Sequence, residues 1–215
     1  MTRNGKSLSN STVLVTGGAG FIGSELVRQL SSYDMRVLIV DNLVNGSLEN
    51  IDDVINDNVS IFVDDIRDVD KMNSIMSGVD SIFHLACLGV RHSLHSPKEN
   101  HDVNATATLG LLELAKHNGV SKFVYVSTSE VYGTAQSVPM TETHPTFPRT
   151  VYGASKLAGE SYTRTYYNSF KYPTVIVRAF NCYGPRSHHG GDSGEVIPKF
   201  MLRSMANRPV LIFGD

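Results

Sequence analysis

Hydrophobic and polar positions along the chain follow two alternating periods. Six short runs rich in β-branched and aliphatic residues, at 12–16, 36–41, 59–63, 81–85, 122–127 and 174–178, have the length of strands. Between them lie stretches of helical period at 24–30, 100–117 and 152–170, the last ending before Pro173, which cannot continue a helix. The strand segments are apolar on both faces, as in a parallel sheet covered by helices, so the pattern predicts a doubly wound α/β fold. Segments 134–150 and 184–195 are too long for plain connections. Long loops at the carboxyl ends of parallel strands are where such folds hold ligands. A further apparent strand runs up to the end of the chain at 211–215.

Composition narrows the field. A chain of 215 residues suffices for one sizeable domain, or one domain and part of another. With 41% hydrophobic and 19% charged residues, it has the make-up of an ordinary globular protein. A formal charge of −2 offers no field for nucleic acid or an anionic membrane, so an anion must be held by local geometry. No apolar run approaches the ~18 residues of a membrane span, and residues 1–7 lack the apolar stretch of a signal peptide. A cytoplasmic protein is expected. Cys87 and Cys182 are far apart and in no CxxC pair, which argues against a disulfide framework or thiolate metal site. His92 and His95 can share a helical face, and His188 and His189 fall in a long loop. None has carboxylate or cysteine partners at ligand spacing, so no metal is expected.

Two segments carry chemistry. Gly17-Gly18-Ala19-Gly20-Phe21-Ile22-Gly23 satisfies GxGxxG between the first strand and the first helix. Glycines there let the backbone turn tightly and approach a pyrophosphate, whose charge faces the helix N-terminus. Asp41 ends the second strand, where a carboxylate accepts hydrogen bonds from ribose hydroxyls and repels a 2′-phosphate. No arginine follows it, so NAD is favoured over NADP. A P-loop is excluded because Ser24 stands where the phosphate-binding lysine would be.

The second segment is Tyr152-x-x-x-Lys156, a phenol and an ammonium one helical turn apart. The ammonium favours phenolate and is expected to lower the tyrosine pKa, which suits Tyr152 to take a proton from a sugar hydroxyl. Tyr167 and Lys171 repeat the spacing but lie roughly 22 Å farther along the helix at 1.5 Å per residue. That pair is expected at the surface. The fifth strand runs into Ser127-Thr128-Ser129-Glu130, three hydroxyls and a carboxylate at a strand's carboxyl end. Thr128 is placed to hydrogen-bond the reacting oxygen and pass its proton to Tyr152.

Seven motifs now stand in order: TGGAGFIG at 16–23, DNL at 41–43, DIRD at 65–68, HLA at 84–86, STSEVYG at 127–133, YGASK at 152–156 and RAFNCYGPR at 178–186. Together they resemble the extended short-chain dehydrogenase/reductase family, specifically its NAD-dependent nucleotide-sugar epimerases, dehydratases and decarboxylases. The resemblance implies a Rossmann-type sheet and a set of roles. Gly17, Gly20, Phe21, Ile22 and Gly23 would line the pyrophosphate, Asp41 and Asn42 the adenosine ribose, and Asp65 and Ile66 the adenine. Leu85 and Ala86 would flank the nicotinamide half, and Lys156 would hold its ribose beside Tyr152, the base. Ser129, Asn181, Arg186 and Val196 would meet the substrate, Asn181 at its diphosphate and Arg186 at a phosphate or carboxylate. Arg91 is a further candidate for such an anion. The family's members continue past the FGD at 213–215, so residues 1–180 are expected to form the NAD-binding domain and 181–215 the start of an incomplete nucleotide-sugar lobe.

The family shares a first step, in which Tyr152 takes the C4 hydroxyl proton of the sugar and NAD accepts the C4 hydride to leave a 4-keto sugar. An epimerase acting on a UDP-hexose, similar to UDP-glucose 4-epimerase, is the reading adopted. A 4,6-dehydratase or UDP-glucuronate decarboxylase using Glu130 is the alternative, although Ser129 stands where some dehydratases carry an acidic partner. A non-catalytic NAD-binding Rossmann protein is a third reading, disfavoured because Tyr152 and Lys156 are both present. The resemblance also implies a homodimer through the helices at 100–117 and 152–170, with no nucleic acid or membrane partner.

Overall fold

A computed structural model describes residues 11–190 and 194–212. Strands β1 (Thr12–Thr16), β2 (Arg36–Val40), β3 (Val59–Phe62), β4 (Ser81–His84), β5 (Lys122–Thr128) and β6 (Thr174–Ala179) form one sheet in the order β3-β2-β1-β4-β5-β6. Every neighbouring pair is parallel. The chain steps outward from β1 to β3, returns beside β1 as β4, and then steps outward the other way. That reversal opens a crevice beyond the carboxyl ends of β1 and β4.

Alternation within the strands supplies two apolar layers. Leu14, Leu38, Ile82 and Phe123 pack on one face with Leu111 and Leu112 of helix α5 (Ala107–His117). Val13, Val15, Val37 and Ile39 pack on the other with Val27 of α1 (Phe21–Ser31) and Ile51. The expected doubly wound architecture is the one observed. Cover thins at the sheet edges, at Phe62 of β3 and above all at β6, where Val175 and Val177 are 41% and 45% exposed.

The helix bounds differ from the periodicity in instructive ways. Helix α1 starts at Phe21, three residues before its apolar stripe, because the glycine turn runs directly into it. Helix α2 (Val69–Ile75) is capped by the Asp68 carboxylate, which accepts from Lys71 N. Helices α3 (Val90–His95) and α4 (Pro97–His101) precede a π-helical turn at Asp102–Thr106, which leads straight into α5. Helix α6 (Val151–Phe170) begins at Thr150, whose hydroxyl accepts from Gly153 N at 3.0 Å. It stops at Lys171, which is left-handed at φ 54°. Helix α7 (Val196–Met205) completes the described elements. Helices α2 and α3 are too short to show a clear period. The apparent strand near 211 is not formed: residues 208–212 are irregular, and Val210, Leu211 and Ile212 are exposed without a sheet neighbour. The FGD at 213–215 lies outside the described residues.

Candidate active site

A cleft of about 1030 Å³ opens at the carboxyl ends of β1, β2, β4 and β5. Its floor is the glycine turn, which is bare backbone by necessity. A Cβ on Gly17, at φ 73°, would stand 2.6 Å from Ala86 N, and one on Gly23 would stand 2.0 Å from Gly17 O. Neither turn nor helix start would survive a side chain there. Asp41 leaves β2 with its carboxylate accepting from Ala19 N and Leu43 N, both at 2.9 Å. Burial raises its pKa against the pull of those two bonds. Asp65 is the opposite case. Arg67 grips its carboxylate through Nε and Nη2 at 2.9 and 2.7 Å, and Asn42 Nδ2 donates at 3.0 Å. Those donors pull Asp65 down to about 2.

At the other end of the cleft, Tyr152 and Lys156 project from the first turns of α6. Lys156 is buried, with Nζ donating to Val126 O at 2.8 Å and lying 4.3 Å from the centre of the Tyr125 ring. The strand end therefore aims the ammonium by one carbonyl and one aromatic face. Thr128 stands beside the Tyr152 hydroxyl, and its own hydroxyl accepts from Glu130 N at 3.2 Å to start the turn after β5. The expectation that Lys156 lowers the Tyr152 pKa needs correcting in its outcome. Burial dominates and raises it, the Cys87 thiol adds to the rise, and Lys156 and Thr128 only pull it partly back.

A buried polar framework holds these two ends in register. His84 bridges β1 to α5 through Thr16 Oγ1 at 2.7 Å and Thr108 Oγ1 at 2.9 Å. The Thr108 hydroxyl donates to Asn104 O at 2.8 Å, so it accepts from His84 Nε2–H, and Nδ1 accepts from Thr16. Burial holds His84 neutral, with a pKa of about 3. On α6, the single Ser155 hydroxyl proton is shared between Tyr152 O at 2.8 Å and Asn100 Oδ1 at 3.1 Å, and its oxygen accepts from Asn104 Nδ2. Asn100 and Asn104 also bond both backbone groups of Leu88. The loop after β4 is thus knotted to the turn that carries Tyr152.

All the sequence-predicted site residues but one line this cleft: the glycine-turn residues, Asp41, Asn42, Asp65, Ile66, Leu85, Ala86, Thr128, Ser129, Glu130, Tyr152, Lys156, Asn181 and Val196. Arg186 does not. Its guanidinium turns back onto α1, with Nε donating to Ser24 Oγ at 3.0 Å and Nη2 to Glu25 at 2.5 Å.

A family model described as GDP-mannose 4,6 dehydratase matches residues 14–215. The chain belongs to that family. Among its relatives, UDP-glucose 4-epimerase of Mycolicibacterium smegmatis is 37% identical over 206 residues, covering 94% of this chain and 66% of the relative. UDP-glucuronic acid decarboxylase 4 of Arabidopsis thaliana is 35% identical over 210 residues, 94% of this chain and 46% of the relative. Among solved structures, UDP-N-acetylglucosamine 4-epimerase from Methanobrevibacter ruminantium, in complex with UDP-N-acetylmuramic acid, superposes with a TM-score of 0.91. That match has 34% identity and covers 96% of this chain and 66% of the neighbour. The chain spans about two thirds of the length of these epimerases.

For a member of the GDP-mannose 4,6 dehydratase family the cleft also holds residues that motif reading left unassigned. Ser127 is buried with an unpartnered hydroxyl on the cleft wall, and Cys87 stands beside Tyr152. The strand-end Ser/Thr cluster could have flagged Ser127, whereas nothing in a lone cysteine marks Cys87. Arg91, His92, His95 and His188 line the cleft as well. His92 Nε2 meets Glu99 at 3.2 Å. Among the described residues no three His, Cys, Asp or Glu side chains could hold a metal, and no helix is long and apolar enough to cross a membrane. The Tyr167 ring is exposed, away from the cleft lining.

Proposed function

We propose that the chain carries the cofactor and proton-transfer half of an NAD-dependent nucleotide-sugar 4-epimerase acting on a UDP-hexose. The supporting observation is the half-buried Tyr152, with Thr128 and the Lys156 ammonium both near enough to pull its pKa down, in the same cleft as the bare glycine turn. The residues present fit a dinucleotide: a turn that no Cβ could share, a carboxylate at Asp41, and an orphan hydroxyl at Ser127. Gly17, Gly20, Phe21, Ile22 and Gly23 would hold the pyrophosphate, Asp41 and Asn42 the ribose, Asp65 and Ile66 the adenine, and Leu85, Ala86 and Lys156 the nicotinamide half. NAD, when bound, supplies the hydride acceptor.

The protein's own part is proton handling. Thr128 donates to or accepts from the sugar O4, and Tyr152 takes the C4 hydroxyl proton. Burial alone would keep the phenol protonated, so Lys156 is needed to favour the phenolate. Ser129, Asn181 and Val196 bind the substrate from the opposite walls, and the protonated Tyr152 returns its proton to O4 after the 4-keto sugar presents its other face. The protein acts in the cytoplasm as a homodimer joined by the helices at 100–117 and 152–170.

Incubation with NAD and a pool of UDP- and dTDP-hexoses and UDP-hexuronate, followed by mass spectrometry, tests the reading. A new isomer of unchanged mass is expected, and Tyr152→Phe should lower its rate by about a hundredfold or more. Full turnover in that variant would discard Tyr152 as the base. One observation favours a second reading. The Glu130 carboxylate lines the cleft with no hydrogen bond or ion pair among the described residues. A free carboxylate there suits removal of a C5 proton, as in a dehydratase, or a site that decarboxylates a hexuronate. Loss of water or carbon dioxide in the product would establish one of those.

A further inference from the structure

Segment 181–188 forms the cleft wall opposite the glycine turn, contributing Asn181, Cys182 and His188 to the lining. Its middle is a closed turn. Ser187 Oγ accepts from Gly184 N at 3.0 Å and donates to Gly184 O at 2.6 Å, and Ser187 N also bonds Gly184 O at 3.2 Å. Arg186 sits in that turn at φ 67°, a left-handed conformation costly for a residue with a side chain. The conformation sends its guanidinium out of the cleft and onto α1, to Ser24 Oγ and Glu25. Ser24 is buried and follows directly on Gly23, and its own hydroxyl donates to Phe21 O at 3.1 Å. Phe21 lies 3.8 Å from where a Cβ of Gly184 would stand. The two walls therefore meet at the Phe21 ring and through one arginine, at the first turns of α1 just past the turn proposed to hold the pyrophosphate.

We propose that Arg186 is a positioning residue and not a substrate ligand: it straps the 181–188 wall onto the first turns of α1, so that NAD and nucleotide sugar bind cooperatively. The inference rests on the reading of the cleft given above. A dinucleotide that settles on the glycine turn fixes the anchor at Ser24 and Glu25. A sugar nucleotide that settles on Asn181 fixes the other end. Each ligand favours the strapped arrangement, so each must tighten the other by the same factor.

Calorimetric titration of UDP-glucose with and without saturating NAD reads this coupling. In the wild type NAD is expected to tighten UDP-glucose about fivefold or more. Arg186→Gln and, separately, Glu25→Gln should reduce that enhancement to less than about twofold, with NAD affinity alone and the thermal midpoint nearly unchanged. The exchanged pair Arg186→Glu with Glu25→Arg should restore it, which a merely space-filling role would not do. Enhancement that persists in Arg186→Gln, or that is absent from the wild type, overturns the strap. Equal loss of UDP-glucose binding with and without NAD in Arg186→Gln makes the arginine a direct ligand, which also overturns it. A wild type that binds neither compound defeats the reading of the cleft itself, and the strap with it.

Discussion

His84 shows how much a single side chain can be made to do by its surroundings. It is fully enclosed, hydrogen-bonded at both ring nitrogens, and held neutral down to about pH 3. An unfolded histidine titrates near 6.5. Its folded pKa is the lower of the two, so its contribution is complete above about 6.5 and is lost as pH falls towards 3, where unfolding takes up one proton. Urea unfolding between about pH 6 and 4 should therefore show stability falling with a component approaching about 1.4 kcal/mol per pH unit that His84→Gln removes. Parallel profiles for the two proteins would reject the assignment. The HLA motif marks position 84 but says nothing of this role, because Thr16 and Thr108 reach it from 68 and 24 residues away. Tyr152 and Lys156 were easier to find, since their spacing on one helix is local. What spacing could not reveal is the depth of the site: burial outweighs the ammonium in setting the phenol.

Among the elements, α6 carries the heaviest duty. Its N-terminal turns present Tyr152 and Lys156, and its middle buries Glu160 completely. Arg178 of β6 holds Glu160 with Nε at 2.9 Å and Nη2 at 2.7 Å, donates to Glu142 O at 3.1 Å, and lies 4.6 Å over the Tyr132 ring. One guanidinium thus joins α6, the edge strand, the loop at 134–150 and the turn after β5. Glu160→Gln leaves that cation without its counter-charge and should cost about 3 kcal/mol in urea unfolding. A loss below about 1 kcal/mol would show the pair to be dispensable. The period of α6 was plain in the chain, as were the strands, because core burial imposes both patterns. Helix α3 was not, since it is short and lines the cleft, where no apolar stripe is required. The π turn at Asp102–Thr106 was equally hidden. It places Asn100 and Asn104 on Leu88 and Ser155, a fit between partners up to 55 residues apart that no local pattern records.

Taken whole, the molecule is a sheet whose reversal of strand order dictates where everything chemical must lie. Motifs scattered from 17 to 197 converge on one cleft because each ends a strand or starts the element after it. Arg186 is the exception: its motif position is right and its direction is wrong, because a left-handed backbone turns it outward. Beyond the cleft, β6 has a colloidal consequence. Among the described residues it has a neighbour strand on one side only, and Val175 and Val177 lie bare on its face. Unpaired amides beside exposed valines recruit any extended segment that drifts past, including another copy of the same strand. Light scattering from this 215-residue chain should rise steeply with concentration, and Val175→Lys with Val177→Lys should flatten the curve without changing NAD affinity. Identical scattering from both proteins would mean that the edge is already shielded in solution. Otherwise two valines on an edge strand, outside the cleft and its chemistry, help to set how concentrated this chain can be kept.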